Sequence, residues 1–219
     1  MRPLSVLEAR VLGVLVEKAH TVPDSYPLSL NSLTLGCNQK TARDPVMAVS
    51  EGDVQATIDS LKALSLVFEA SGSRVTRYEH NVGRVLALPS QSVALLCVLM
   101  LRGPQTTSEL RANSERLHRF ADLSSVEGFL DELAARADDK GGPLAVKLPR
   151  AAGSREPRWA QLLCGEVDAS RGVPADDDDF VAASELSAMK ARLGRAETEL
   201  EALRALVERL YRELDLPRA

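Results

Sequence analysis

One pattern is written twice in this chain, and nothing else in the sequence constrains the fold as much. Val54, Ile58, Asp59 and Leu61 return 72 positions later as Val126, Leu130, Asp131 and Leu133, and the same order of elements surrounds both quartets. In the first copy, Val6, Leu7, Val11, Val14, Leu15 and Ala19 fall at helical spacing behind Ser5, an N-cap residue. LSLNSLTLGC (28–37) reads as a second short helix, and Ser50 caps a third whose apolar face holds Val54, Ile58, Leu61 and Leu64. VFEA and VTRYEHN then read as two strands around the turn SGSR (71–74). The second copy repeats this with SVALLCVLMLR (92–102), TTSELRANS (106–114), the helix of Val126, Leu130 and Leu133, and the strands PLAVKLPR and PRWAQLL around AAGSRE. Helix, helix, helix and hairpin is the order of a winged helix. The fold expected is therefore mainly α with small β-hairpins (α+β): two tandem winged-helix domains and a C-terminal coiled-coil helix.

The divisions follow from composition. Residues 1–89 form the first winged-helix domain and residues 90–164 the second, with Pro89 ending an apolar run ahead of a new helical pattern. Residues 165–180, GEVDASRGVPADDDDF, lose apolar periodicity and carry four consecutive aspartates, which reads as an acidic flexible linker. Residues 181–219 form the final helix. The whole chain has a formal charge of −4, so it offers no global basic field to a polyanion. Most of that acidity lies after residue 165.

The string CNQKTARDPVM (37–47), with VQATIDSL (54–61), RVTRYEHN (74–81) and LRGPQTTSELRANSERLHRF (101–120), resembles the YceH-like family of bacterial proteins of unknown function. The resemblance spans about residues 4–164 and implies a tandem winged-helix fold. It implies no activity, so function rests on the residues themselves.

The last helix has the clearest period. Leu186, Leu193, Leu200, Val207 and Leu214 are seven apart, and Met189, Ala196, Leu203 and Leu210 follow the first four by three. These are a and d positions over four heptads. Glu185 with Lys190, Arg192 with Glu197, and Glu199 with Arg204 occupy flanking positions with opposite charges, as a parallel pair of helices requires. Residues 181–214 are thus expected to join copies of the chain into a homo-oligomer, most simply a dimer. A single amphipathic helix folded back on its own domains fits the same stripe.

Chemistry is sparse. No phosphate-binding glycine loop and no GxSxG elbow are present, and His20, His80 and His118 stand far apart with no metal-ligand spacing. Cys37, Cys97 and Cys164 are unclustered, which points to reduced thiols in a cytosol. Cys37 beside Lys40 reads as a small core residue before it reads as a reactive thiol. No apolar run is long enough to span a bilayer, and the N-terminal segment carries Glu8, Arg10 and Glu17 within its pattern, so it reads as an amphipathic helix and not a signal peptide. The expectation is a cytoplasmic protein that is not an enzyme, with no metal, cofactor or membrane.

Winged helices point to double-stranded DNA. The third helices argue against base reading, because Glu51, Asp59, Glu127 and Asp131 lie opposite their apolar faces and would repel phosphate. The positive charges gather elsewhere. The second hairpin holds Lys147, Arg150, Arg155 and Arg158 against Glu156 alone. Segment 110–119 adds Arg111, Arg116 and Arg119, the first hairpin Arg74 and Arg77, and the loop after the second helix Lys40 and Arg43. These eleven residues are the candidate phosphate contacts of a DNA-binding, regulator-like protein. The charges fit equally a solvated hairpin whose arginines pair with nearby carboxylates. The alternative function is a protein–protein adaptor that uses the winged helices as scaffolds. Trp159 is expected to plug the hairpin onto the helices.

Overall fold

The structure is a computed structural model and describes residues 1–70, 75–150 and 154–167. Expected elements that fall later, the acidic linker from residue 168 and the heptad helix with it, lie outside the described residues. The described residues all fall in one compact unit.

Helix starts are set by side chains that satisfy orphan backbone N–H groups. Ser5 opens α1 (Val6–Thr21) with a capping box, accepting from the Glu8 N–H while the Glu8 carboxylate accepts from the Ser5 N–H. Ser50 and Asp53 do the same for α3 (Glu51–Ala63). Between them, the expected helix over 28–37 begins two residues later. Leu28 and Ser29 form strand β1, and Ser29 caps α2 (Leu30–Cys37) by accepting from Ser32. The first hairpin is β2 (Val67–Ala70) with β3 (Arg77–His80), and β1 pairs antiparallel on the other side of β3, Leu28 opposite Tyr78. A short helix α4 (Val82–Val85) leads to Pro89, the N-cap of α5 (Ser90–Arg102).

The second copy continues with α6 (Thr107–Ser114) and α7 (Leu123–Ala134), capped by Thr106 and Asp122. It closes on β4 (Ala145–Lys147) and β5 (Trp159–Gln161), paired antiparallel. The third strand of the first sheet has a one-residue counterpart here. Gln105 and Trp159 exchange both backbone hydrogen bonds, at 3.0 and 2.7 Å. The described residues thus form an α+β fold of seven α-helices and two small antiparallel sheets.

The two copies share one core. α1 packs along α5, and nearly every side chain of α5 from Ser92 to Leu101 is buried. The contact needs Gly13, where a Cβ would stand 2.9 Å from Leu101 Cγ, and α2 approaches α1 so closely at Gly36 that a Cβ there would meet Val14 at 2.5 Å. Burial on two sides explains why α1 departs from a simple amphipathic helix. Glu8 and Arg10, the charges within the apolar pattern that made this segment read as amphipathic, are 4% and 1% exposed. Glu8 is held by Arg2 at 2.5 Å and by the Ser60 hydroxyl at 2.8 Å. Arg10 donates to the carbonyls of Cys37 (3.0 Å) and Pro45 (2.6 Å).

Candidate nucleic-acid interface

The second hairpin is fastened before it presents any charge. Trp159 is buried beneath it as expected, and its backbone is paired with Gln105 in the connection to α6. Arg158 donates to the Pro104 carbonyl (3.1 Å) and to the Glu109 carboxylate (3.2 Å), the carboxylate that also caps α6. Arg158 is thus a strut that ties the hairpin base to α6, and its charge is largely spent internally. Lys147 lies 5.3 Å over the Trp159 ring, an arrangement that leaves its ammonium outward. Arg150 and Arg155 are exposed. Among the described residues, none of Lys147, Arg150 and Arg155 forms an ion pair with a carboxylate.

From the hairpin the positive groups continue along α6. Ser108 reaches Glu156 at 3.4 Å, which sets the hairpin beside the first turn of α6. Ser108 also lines a cavity of about 320 Å3 together with Arg111, Glu115, Arg119, Phe120 and Leu123. Arg111 is steadied there by the Ala121 carbonyl at 3.0 Å. Ala112 and Glu115 border a second cleft of about 330 Å3, into which Arg116, Arg102 and Lys18 face. Shared lining residues therefore connect Arg111 and Arg119 to Arg116 and Arg102, and the Ser108–Glu156 contact sets the hairpin of Arg150 and Arg155 beside them. Glu115, just past the end of α6, and Glu156 interrupt the positive groups, whereas Glu109 within α6 is paired with Arg158. Sequence reasoning missed Lys18 and Arg102. Arg102 stands at the end of an otherwise apolar run, where it looks like a simple helix terminator.

In the first copy the outcome differs by residue. Lys40 is exposed as expected. Arg43 is not a surface cation. Its side chain is fully buried, bonded to the Gly36 carbonyl (3.2 Å) and in a two-pronged pair with Glu17 (2.6 and 3.1 Å). Burial pushes the Glu17 carboxyl up, but Arg43 and Lys18 outweigh it and hold it below its usual range. The motif that carries the family resemblance is therefore chiefly a clip. Arg10 and Arg43 pin residues 37–45 onto α1, Asn38 exchanges two 2.8 Å bonds with the Val49 backbone, and the Asp44 N–H donates to Leu101 on α5. Arg77 donates to the carbonyls of Ser25 and Pro27 and steadies the turn before β1. Arg74 lies outside the described residues.

The third-helix faces are acidic, as read. Glu51, Asp59, Glu127 and Asp131 are exposed, and Lys62 is neutralised by Glu69. Cys37 and Cys97 are buried, and burial pushes the Cys37 thiol up to about 12, which removes the thiolate that reactivity needs. Burial also pushes His80 down to about 4, so its imidazole is neutral. Among the described residues no group of three or more His, Cys, Asp or Glu is placed to hold a metal, and no helix is long and apolar enough to cross a membrane.

Residues 4–154 match the family described as "Protein of unknown function, DUF480". The chain is 61% identical over 219 residues to a UPF0502 protein of Burkholderia ambifaria, covering 99% of this chain and 91% of that protein. It is 60% identical, with the same coverage, to UPF0502 proteins of Burkholderia orbicola and Burkholderia vietnamiensis.

Proposed function

The chain belongs to the DUF480 family, and from that premise we propose that it is a non-catalytic, tandem winged-helix protein that grips the phosphates of duplex DNA through the second hairpin and α6. The observation that carries this reading is the set of hairpin cations without a carboxylate partner among the described residues, Lys147, Arg150 and Arg155, set beside Arg111, Arg119 and Arg116 by the contact between Glu156 and Ser108. Phosphate contacts need exposed cations on a fixed frame and no particular base edge. The acidic faces of α3 and α7 keep the third helices out of the major groove, so the contact is expected to be weak in sequence preference and steep in salt.

The heptads of residues 181–214 would join two or more copies, and linking weak sites can raise avidity by roughly 10²–10⁴ when both reach one duplex. Light scattering tests this part. Full-length protein is expected to be at least dimeric and residues 1–165 monomeric, and equal protomer counts would defeat it.

Fluorescence anisotropy on a labelled duplex tests the main reading. Arg150→Glu with Arg155→Glu is expected to weaken binding at least about tenfold and to lower the salt slope by about 2. An unchanged affinity, or no binding by the unaltered protein at low salt, refutes it. The acidic exposed faces and the 66% exposed Leu35 on α2 favour a second reading, a protein-binding adaptor. Under that reading, partners captured from lysate survive nuclease treatment.

A further inference from the structure

The cleft between the two copies has an unusual electrostatic balance. Its walls come from both: Glu17, Lys18 and Thr21 of α1 and Gln39 and Ala42 of the clip on one side, Arg102 of α5 and Asn113, Glu115 and Arg116 at the end of α6 on the other. Glu17 is already committed, both oxygens to Arg43 and one also to Lys18 at 3.2 Å. Arg102 is half-buried in this wall and, among the described residues, has no carboxylate within 4 Å. Three cations (Lys18, Arg102 and Arg116) line the cleft with two carboxylates (Glu17 and Glu115), and Glu17 is already offset from behind by the buried Arg43. A partly desolvated guanidinium without a counter-charge is unfavourable, and an arriving anion relieves it.

We propose that this cleft is a binding site for a small phosphorylated anion, held by Arg102 and Arg116 with Lys18 at the rim. The charge surplus matches a phosphate dianion, and the planar guanidinium forks suit phosphoryl oxygens better than halide. Gln39, Thr21 and Asn113 supply neutral polar groups for the rest of the molecule. A volume of about 330 Å3 is at the lower end for small-molecule sites and far too small for a duplex. Burial draws the Arg102 guanidinium below its ordinary range, Glu17 acts against that and Arg43 adds to it, as expected of a cation short of a partner. Because both copies line the cleft, a ligand there braces one against the other. This site does not depend on the DNA-binding reading.

The experiment is calorimetric titration of full-length protein with pyrophosphate and with inorganic phosphate, at ionic strength held constant with sodium chloride. Saturable binding is expected, with a rise in Tm of about 5–10 °C at a hundredfold excess over Kd. Arg102→Gln is expected to weaken it at least about tenfold, and so is Arg116→Gln, an exposed position where the fold is not at risk. Arg150→Gln on the hairpin is expected to leave it unchanged. No saturable heat with either anion overturns the proposal, as does binding that survives Arg102→Gln with Arg116→Gln or that is lost instead with Arg150→Gln. Duplex binding by Arg102→Gln, a residue outside the proposed DNA contacts, separates the sources: unchanged duplex affinity assigns the cleft to a free phosphorylated ligand, and a parallel loss assigns it to a backbone phosphate, and either outcome keeps the phosphoryl site. Failure of the hairpin substitutions to affect DNA leaves this result untouched.

Discussion

The shared core makes a quantitative prediction about Gly13. Adding a methyl there places a Cβ 2.9 Å from both Cγ and Cδ2 of Leu101 and 3.4 Å from Met100 Cβ. Leu101 is 3% exposed and cannot swing into solvent, so overpacking costs about 1–3 kcal/mol. Against that, Gly→Ala inside a helix is favourable by about 1 kcal/mol. Gly13→Ala should therefore destabilise by about 0–2 kcal/mol. Leu101→Ala alone should cost about 2–5 kcal/mol through the cavity it leaves. In that background the clash is gone, and Gly13→Ala should stabilise by up to about 1 kcal/mol. The sign change is a coupling of about 1–3 kcal/mol between a residue of the first copy and one of the second. Urea denaturation, followed by far-ultraviolet circular dichroism and by the fluorescence of Trp159, measures it. Trp159 is the sole tryptophan and lies in the second copy, so its transition should move when Gly13 changes. An effect of Gly13→Ala that is the same in both backgrounds to within about 0.5 kcal/mol, or a Trp159 transition that ignores Gly13, would refute the shared core.

Other outcomes follow from local geometry. Ser65 (φ +58°) and Ala87 (φ +50°) close the ends of α3 and α4 in the left-handed region, with the paired backbone bonds of a Schellman motif. Ser65→Gly and Ala87→Gly should each stabilise by about 1 kcal/mol, read as a higher urea midpoint with unchanged slope. Arg43→Ala should cost about 3 kcal/mol by leaving the largely buried Glu17 with Lys18 alone, whereas Lys40→Ala, at an exposed position, should leave the urea midpoint in place. The hydrogen bond and charge of Arg2 hold the Glu8 carboxyl down to about 2 against the effect of burial. A depressed carboxyl contributes stability that is complete above its ordinary value of 4.5 and is lost as pH falls through about 2. Acid titration of stability should show this loss, on the order of 1–2 kcal/mol after allowance for the half-exposed Arg2 partner, and Arg2→Ala should move it to higher pH.

Elements announced by their own residues were legible. Ser5, Ser50 and Thr106 each precede a helix they do cap, because a capping box is a bond between residues three apart. The apolar faces of α3 and α7 followed from a period of 3.6 for the same reason. Elements that depend on distant partners were not. β1 is two residues long and exists because β3 has a free edge at Tyr78, and α4 lacks the glycine that ordinarily marks a helix end. The candidate site divided along the same line. Lys40 and Arg43 sit three residues apart in one basic loop, yet one is exposed and the other buried against Glu17, twenty-six residues earlier.

By itself the sequence determined the doubled order of elements, the caps that start α1, α3 and α6, the heptad spacing of the tail, and the sign of the charge on each segment. All of these are local, set by spacing along the chain. Only the tertiary structure decided that α1 and α5 lie together, which arginines became struts and which stayed free, and that Arg102 and Arg116 share a cleft with Lys18. Whether a charge is paired or bare depends on distances through space, and those are fixed by packing between elements far apart in the chain.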